Sequence, residues 1–281
     1  ACALAIFLGF AAQAAPAMAA EGENSARQPK IYGGLPSSDP HIVHLGLKAG
    51  GEVVGVCTAG IWKPRLLMTA AHCTQGISEF AIGAPGAPSL SADQAGAVLG
   101  ALDVQVLQVF QPPSYKEDGT SSVKPDDIAL ILLDRDIGGA PFARLANELD
   151  LVTPWAAKGP VNHAGYGLIS ENQLPDVPRE VTLPFQYFFP ESRLGVTFAT
   201  GQNPASGICS GDSGSPAYLR TAAGDLLIGP VVGGAGPCGG GAAADTYGNV
   251  GTFAMGYVDL QNQALVQAGY SPIPGAPVGL A

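Results

Sequence analysis

The stretch Gly211-Asp212-Ser213-Gly214-Ser215-Pro216 has the most chemical content in this chain. Ser213 follows an acid and stands between glycines, in a run that predicts a tight loop. Gly211 can take backbone angles closed to other residues. That freedom lets the N–H of Gly211 and the N–H of Ser213 point into one small space. Two such donors would stabilise the oxyanion of an acyl-transfer intermediate, with Ser213 as the nucleophile. A glycine-rich turn without chemistry is the competing reading of this string taken alone. A neutral hydroxyl attacks poorly near neutral pH, so Ser213 also needs a base, and the base needs an orienting partner.

Two other stretches offer those partners. Thr69-Ala70-Ala71-His72-Cys73 follows the apolar run Leu66-Leu67-Met68, and Asp126-Asp127-Ile128-Ala129-Leu130 opens a run that continues through Leu133. An imidazole titrates near neutrality, so His72 can take the proton of Ser213 and hand it to a leaving amine. Either Asp126 or Asp127 can orient it. The chain order His, Asp, Ser resembles that of the trypsin/chymotrypsin superfamily and differs from the subtilisin and α/β-hydrolase orders. The resemblance runs from about Ile31 to about Gly269. In that family the triad acid is followed directly by strand residues of the Ile/Ala/Leu type, which selects Asp127. Asp126, after Pro125, then reads as a solvated turn residue. The implied catalytic set is His72, Asp127 and Ser213, with Gly211 and Ser213 as the oxyanion donors.

Such a site must be assembled by elements distant in the chain. The 281 residues include 39 Gly and 24 Pro, with 47% hydrophobic content. Short apolar runs between Gly and Pro predict many strands and turns, and no long helix-periodic stretch precedes the C-terminus. Composition alone supports an all-β chain. The resemblance implies more: two six-stranded antiparallel β-barrels with the active site between them, and a C-terminal helix. Apolar spacing over 258–266 fits that helix, expected to pack on the second barrel. Residues 271–281 are Pro/Gly-rich and read as loose.

The net charge is −10, and the acids and bases of the first thirty residues cancel. That balance disfavours nucleic acid and anionic membranes as partners. Residues 1–19 read as a secretory signal peptide with a small-x-small site at Ala17-Met18-Ala19, followed by a short propeptide over 20–30 and a protease-like domain over 31–281. No other segment reads as a membrane span. The segment Lys30-Ile31-Tyr32-Gly33-Gly34 is similar to the family's activation site, with Tyr32 where the family has Val. The resemblance implies cleavage after Lys30 and a buried pair between the new Ile31 ammonium and Asp212, with a plain turn role for Asp212 as the rival.

Of five cysteines, Cys2 lies in the leader. The resemblance pairs Cys57 with Cys73, and Cys209 with Cys238. A four-thiol zinc site is the rival, and the spacing offers no C-x-x-C pair. His41 and His44 fall in an expected early strand and invite a metal reading that lacks a third ligand; His163 reads as structural. Neither metal nor cofactor is implied.

Family members read the residue before the scissile bond in a pocket beside the nucleophile. The positions implied here are Gly207 and Ile208 on one side, Gly233, Gly234 and Ala235 on the opposite wall, and Gly251 on a third. An open apolar slot of this kind favours Phe, Tyr, Leu or Met, whereas Asp245 dipping into it would favour Lys or Arg. Two departures stand out: Ser215 replaces the usual second Gly, and Gly233-Gly234 replaces a Ser and an aromatic. The expectation is a secreted, monomeric serine endopeptidase acting on polypeptides, with a proteinaceous inhibitor as a further partner. The alternatives are a catalytically weak homologue that binds proteins and a structural or adhesive β-domain.

Overall fold

A computed structural model describes residues 31, 34–92, 98–116, 125–169, 173–192, 195–201, 206–234 and 247–274. The first half is built on one six-stranded antiparallel sheet, with a separate two-stranded pairing of Ser91–Ala92 and Val98–Leu99. The strands of the six-stranded sheet are β1 (Ile42–Ala49), β2 (Glu52–Lys63), β3 (Leu66–Thr69), β4 (Glu79–Ile82), β5 (Val106–Phe110) and β6 (Ala129–Leu133), in the order β4-β1-β2-β3-β6-β5. The sheet curls, but its edge strands β4 and β5 do not pair with each other. It is a curled half-barrel rather than a closed one. Its inner face buries Val43, Leu45, Ile61, Leu67, Ile82, Ile131 and Leu133.

The second half closes. Strands β7 (Pro160–Gly165), β8 (Arg179–Ser192), β9 (Gly195–Gly201), β10 (Pro216–Leu219), β11 (Leu226–Gly234) and β12 (Tyr247–Thr252) run in the order β8-β7-β10-β11-β12-β9, and β9 pairs back onto β8. Inside lie Val161, Phe185, Phe198, Ala217, Ile228, Val231 and Phe253. Closure removes the free edges that would otherwise present unpaired backbone groups. Phe185 and Phe198 meet edge to face inside it, with ring centroids 6.5 Å apart.

Two α-helices accompany these strands among the described residues. α1 (Glu148–Ala156) was not legible as a helix. Asn147 caps it: its side chain accepts from the Asp150 N–H at 3.1 Å, and the Asp150 carboxylate accepts from the Asn147 N–H at 2.8 Å. Only Leu151 of this helix is buried. α2 (Val258–Gln267) matches the expected C-terminal helix. Its packing differs from the expectation, because Leu260, Ala264 and Leu265 join a cluster built largely from the first sheet, including Trp62, Leu66, Leu130 and Leu132. The second half contributes Tyr218 and Leu227 to the same cluster. This helix therefore covers the seam between the halves. Residues 271–274 are also tied down: the Ile273 N–H donates to Asn262 Oδ1 at 2.9 Å.

Candidate active site

Adjacent antiparallel strands leave a pair of side chains at the same end of the sheet. Thr69 of β3 is paired with Ala129 of β6. His72 follows the first strand by three residues and Asp127 precedes the second by two. Although 55 residues apart in sequence, they meet doubly: the His72 backbone N–H donates to Asp127 Oδ1 at 2.9 Å, and His72 Nδ1 lies 2.7 Å from Asp127 Oδ2. The Asp127 side chain is 2% exposed and that of His72 27%. With a carboxylate against Nδ1, that nitrogen carries the proton, and Nε2 is left as the acceptor. Thr252 Oγ1 donates to the Asp127 carbonyl at 2.9 Å and fixes the turn from the second half.

Asp126 does lie in the expected turn, but it is not wholly solvated. It is half-buried with φ 58°, and Oδ1 accepts from the Tyr257 hydroxyl at 2.7 Å. The adjacent acids are thus turned to different partners.

The loop 209–215 forms against the first half. Gly211 and Gly214 have φ of 90° and 80°, angles that suit glycine. Thr58 of β2, wholly buried, binds this loop twice. Its N–H donates to the Ser213 carbonyl at 2.9 Å, and its Oγ1 donates to the Gly211 carbonyl at 3.1 Å. Oγ1 also accepts from the Tyr166 N–H at 3.0 Å, and the Thr58 carbonyl accepts from Thr69 Oγ1 at 2.9 Å. Both loop carbonyls are therefore turned toward Thr58. The N–H groups of Gly211 and Ser213 have no acceptor among the described residues. Gly214 N–H donates to the Val231 carbonyl at 2.7 Å and sets the loop on β11.

Ser213 is half-buried. Its carbonyl oxygen lies 3.7 Å from Cys73 Sγ, next to His72. No hydrogen bond joins the Ser213 hydroxyl to His72 among the described residues; catalytic hydrogen bonds of this kind often tighten only once substrate is bound. Cys57 and Cys73 form a disulfide with Cα atoms 6.3 Å apart, closing the loop that carries His72. The His72 ring and these two sulfurs lie within 4.8 Å of one another, but sulfurs joined to each other are not thiolate ligands. Cys209 is disulfide-bonded, and its expected partner Cys238 lies outside the described residues.

Asp212 points away from Ser213 into the protein and is fully buried. Its carboxylate fills the space that side chains on Gly165 and Gly167 would take. Oδ1 accepts from the Gly167 N–H at 2.7 Å and Oδ2 from the Cys209 N–H at 2.9 Å. No cation faces it among the described residues. Burial pushes its pKa up to about 7, against the opposing pull of those two hydrogen bonds. Ile31 is likewise fully buried, and its carbonyl accepts from the Gly34 N–H. Lys30 lies outside the described residues.

Of the expected pocket positions, Gly207 is buried, and Ile208 packs at the edge of the second-half core. Gly233 is half-buried and Gly234 exposed, both on β11. Gly251 is covered by the Phe198 ring from the neighbouring strand, so open space is not what adjoins it. Ala235 and Asp245 lie outside the described residues.

The other histidines are engaged separately. His41 Nδ1 lies 2.7 Å from Asp39 Oδ1, and its ring stacks on Phe142. His44, fully buried, accepts from the Leu90 N–H through Nδ1 at 2.8 Å and stacks on Tyr166. Burial pushes its pKa down to about 4. His163 faces Thr200 Oγ1 at 3.3 Å inside the closed barrel, and burial lowers it to about 3.

A family model described as Trypsin matches residues 32–255. The chain belongs to the trypsin family. No curated protein matches its sequence. The match covers the strands of both halves and the three motif stretches, so the trypsin-family fold accounts for the half-barrel, the closed barrel and the cleft loops between them. Membership makes this chain a serine-protease-type hydrolase in general, with polypeptides as the substrate class. Sequence motifs pointed to His72, Asp127 and Ser213. They did not point to Thr58 and Thr252, because a threonine inside a strand carries no motif signal.

Proposed function

We infer that this trypsin-family chain is a serine endopeptidase whose catalytic residues are Ser213, His72 and Asp127. One observation carries the reading: an imidazole held at Nδ1 by a buried carboxylate, beside a serine loop whose Gly211 and Ser213 N–H groups have no acceptor among the described residues. Ser213 Oγ attacks the scissile carbonyl as His72 Nε2 takes its proton. The tetrahedral oxyanion is bound by the N–H groups of Gly211 and Ser213. Asp127 stabilises the imidazolium, which then protonates the leaving amine. Water attacks the resulting ester by the same route and regenerates the hydroxyl. A fluorophosphonate probe tests this. Labelling that disappears in Ser213→Ala supports it; a correctly processed protein that takes no label refutes it and favours a protein-binding homologue.

The finer features follow from the same reading. The residue before the bond is large and apolar, because Gly207, Ile208 and Gly233 offer no charge to pair with Lys or Arg; a peptide panel in which Arg outpaces Phe there would overturn this. The enzyme is exported, in keeping with the Cys57–Cys73 bridge, which suits an oxidising compartment. Cleavage after Lys30 matures it. A buried carboxylate without a cation is costly, and an ammonium at Ile31 would stabilise Asp212 and so order the oxyanion loop. Full activity in uncleaved Lys30→Gln would argue against that step.

A further inference from the structure

A pocket of about 350 Å³ lies where the end of β2, the cap of α1 and the side of α2 meet. None of the three catalytic motif stretches contributes a residue to it. Its apolar wall is made by Trp62, Leu145, Met255, Leu265 and Ile273. Trp62, Leu145 and Leu265 belong to the buried cluster at the seam, and Met255 and Ile273 pack against it. The wall is therefore held by the core, and the pocket is preformed. Residues 271–274, anchored by the Ile273–Asn262 bond, close one side.

The polar groups of this pocket are unbalanced. No carboxylate lines it. The Arg144 guanidinium is already matched, because Nη1 and Nη2 donate to Asp150 at 2.6 and 2.8 Å. Asn147 Oδ1 accepts from the Asp150 N–H at 3.1 Å, which leaves the Asn147 amide N–H groups without an acceptor among the described residues. Lys63 is half-buried and has neither an ion pair nor a hydrogen bond among the described residues. Its Nζ lies over the Trp62 ring, 5.8 Å from the centroid, which places the amine beside the apolar wall. Burial lowers its pKa, and no anion offsets that cost. The chain carries 23 acids against 13 Lys and Arg, so Lys63 does not go unpaired for want of carboxylates. Donors in excess of acceptors select an anion, and hydrogen bonds between ionised partners are the strong ones. The apolar wall selects a hydrophobic body. The ligand class is an apolar carboxylate, and a pocket near the small end of the usual range suits one large side chain with its terminal carboxylate.

We propose that this pocket binds the free C-terminal carboxylate and last side chain of a peptide ending in a large apolar residue, the acyl product of this chain's own hydrolysis. Cutting after a large apolar residue leaves that residue at the end of the acyl product with its carboxylate free. The source of the peptide rests on the protease reading, whereas the chemistry of the pocket does not. The product then has a place on the enzyme outside the catalytic cleft.

The test follows fluorescein-labelled Gly-Ser-Gly-Leu-Phe by fluorescence anisotropy, as the free acid and as the C-terminal amide, on the full chain carrying Ser213→Ala. The acid should bind about tenfold more tightly than the amide, as expected of a hydrogen-bonded charge. Adding Lys63→Gln should bring that ratio toward one, and Lys63→Arg should keep most of it; urea unfolding checks that both variants remain folded. Equal binding of acid and amide overturns the proposal. So does a preference that Lys63→Gln leaves unchanged, because the peptide then sits elsewhere, as in the catalytic cleft. Octanoate that displaces the labelled acid at lower concentration than unlabelled acid does assigns the pocket to fatty acids and overturns the peptide source. Peptide hydrolysis by the chain with Ser213 intact separates the remaining failures. If it cuts no peptide while the Lys63-dependent preference persists, the pocket stands and the product assignment falls. If it cuts peptides but shows no such preference, the pocket falls and the protease reading stands.

Discussion

His44 should make the protein sensitive to mild acid. Its ring is fully buried, stacked on Tyr166 at 4.8 Å, and Nδ1 accepts the Leu90 N–H. Protonation would place a second N–H against that donor and put a charge where water cannot reach. The folded pKa of about 4 therefore lies below the value near 6.5 expected of the unfolded chain. The unfolded state binds the extra proton, so the contribution is complete above about pH 6.5 and is lost progressively as the pH falls toward 4. At 1.36 kcal/mol per pH unit the loss comes to about 3 kcal/mol. His44→Phe keeps the stack and removes the titration. It also leaves the Leu90 N–H without an acceptor, at about 1–3 kcal/mol. Urea unfolding at several pH values between about 7 and 4 measures both effects. The variant should be the less stable protein near neutrality, and its deficit should disappear or reverse near pH 4. His163 titrates in both proteins and cancels in the comparison. A difference between the two proteins that stays constant across this range would refute the reasoning.

Other perturbations should separate positioning from chemistry. Asp127→Asn leaves His72 in the wrong tautomer and should lower kcat/KM for peptides by roughly three to four orders of magnitude; a loss under tenfold would remove Asp127 from its role. Gly214→Ala forces a side chain into Thr69 Oγ1 and the Thr58 carbonyl at φ 80°, so peptidase activity and probe labelling should both fall sharply, along with about 2 kcal/mol or more of stability. Cys57→Ala with Cys73→Ala opens a bridge spanning 16 positions and should lower urea stability by about 3 kcal/mol. Removing only the Thr252 hydroxyl with Thr252→Val should cost about 1 kcal/mol and slow hydrolysis modestly, as the Asp127 turn loosens.

The parts of the site that sequence carried are those with short, dense motifs. Thr69 to Cys73 and Asp127 to Leu133 each place one chemical residue beside an apolar strand, and a strand that must be buried in register fixes where its flanking residue emerges. The Cys57–Cys73 bridge followed from family resemblance for the same reason. What stayed hidden depends on partners far along the chain. Asp126 looked like a solvent-facing turn until Tyr257, 131 residues later, supplied a hydroxyl. α1 was missed because Pro154 stands inside it and Leu149, Val152 and Trp155 face outward, so its apolar residues do not mark the buried face, where only Leu151 sits. The cap at Asn147 and the Arg144–Asp150 ion pair hold it instead. The first sheet fails to close because β4 and β5 remain apart, and no local residue pattern encodes the distance between two edges. The placement of α2 over the first sheet likewise reflects three-dimensional packing around Trp62, not the helix's own amphipathic pattern.

Thr58 belongs to one half of the molecule, yet it dictates which way two carbonyls of the other half turn. Catalytic readiness is thereby made conditional on docking. Should the seam part by even the length of one hydrogen bond, Gly211 and Ser213 would be free to rotate, and the anion-binding cradle would dissolve while each sheet kept its own strands. Hydrolysis ought therefore to vanish at lower denaturant than backbone circular dichroism does, which would make turnover the more delicate gauge of whether the two halves are properly joined.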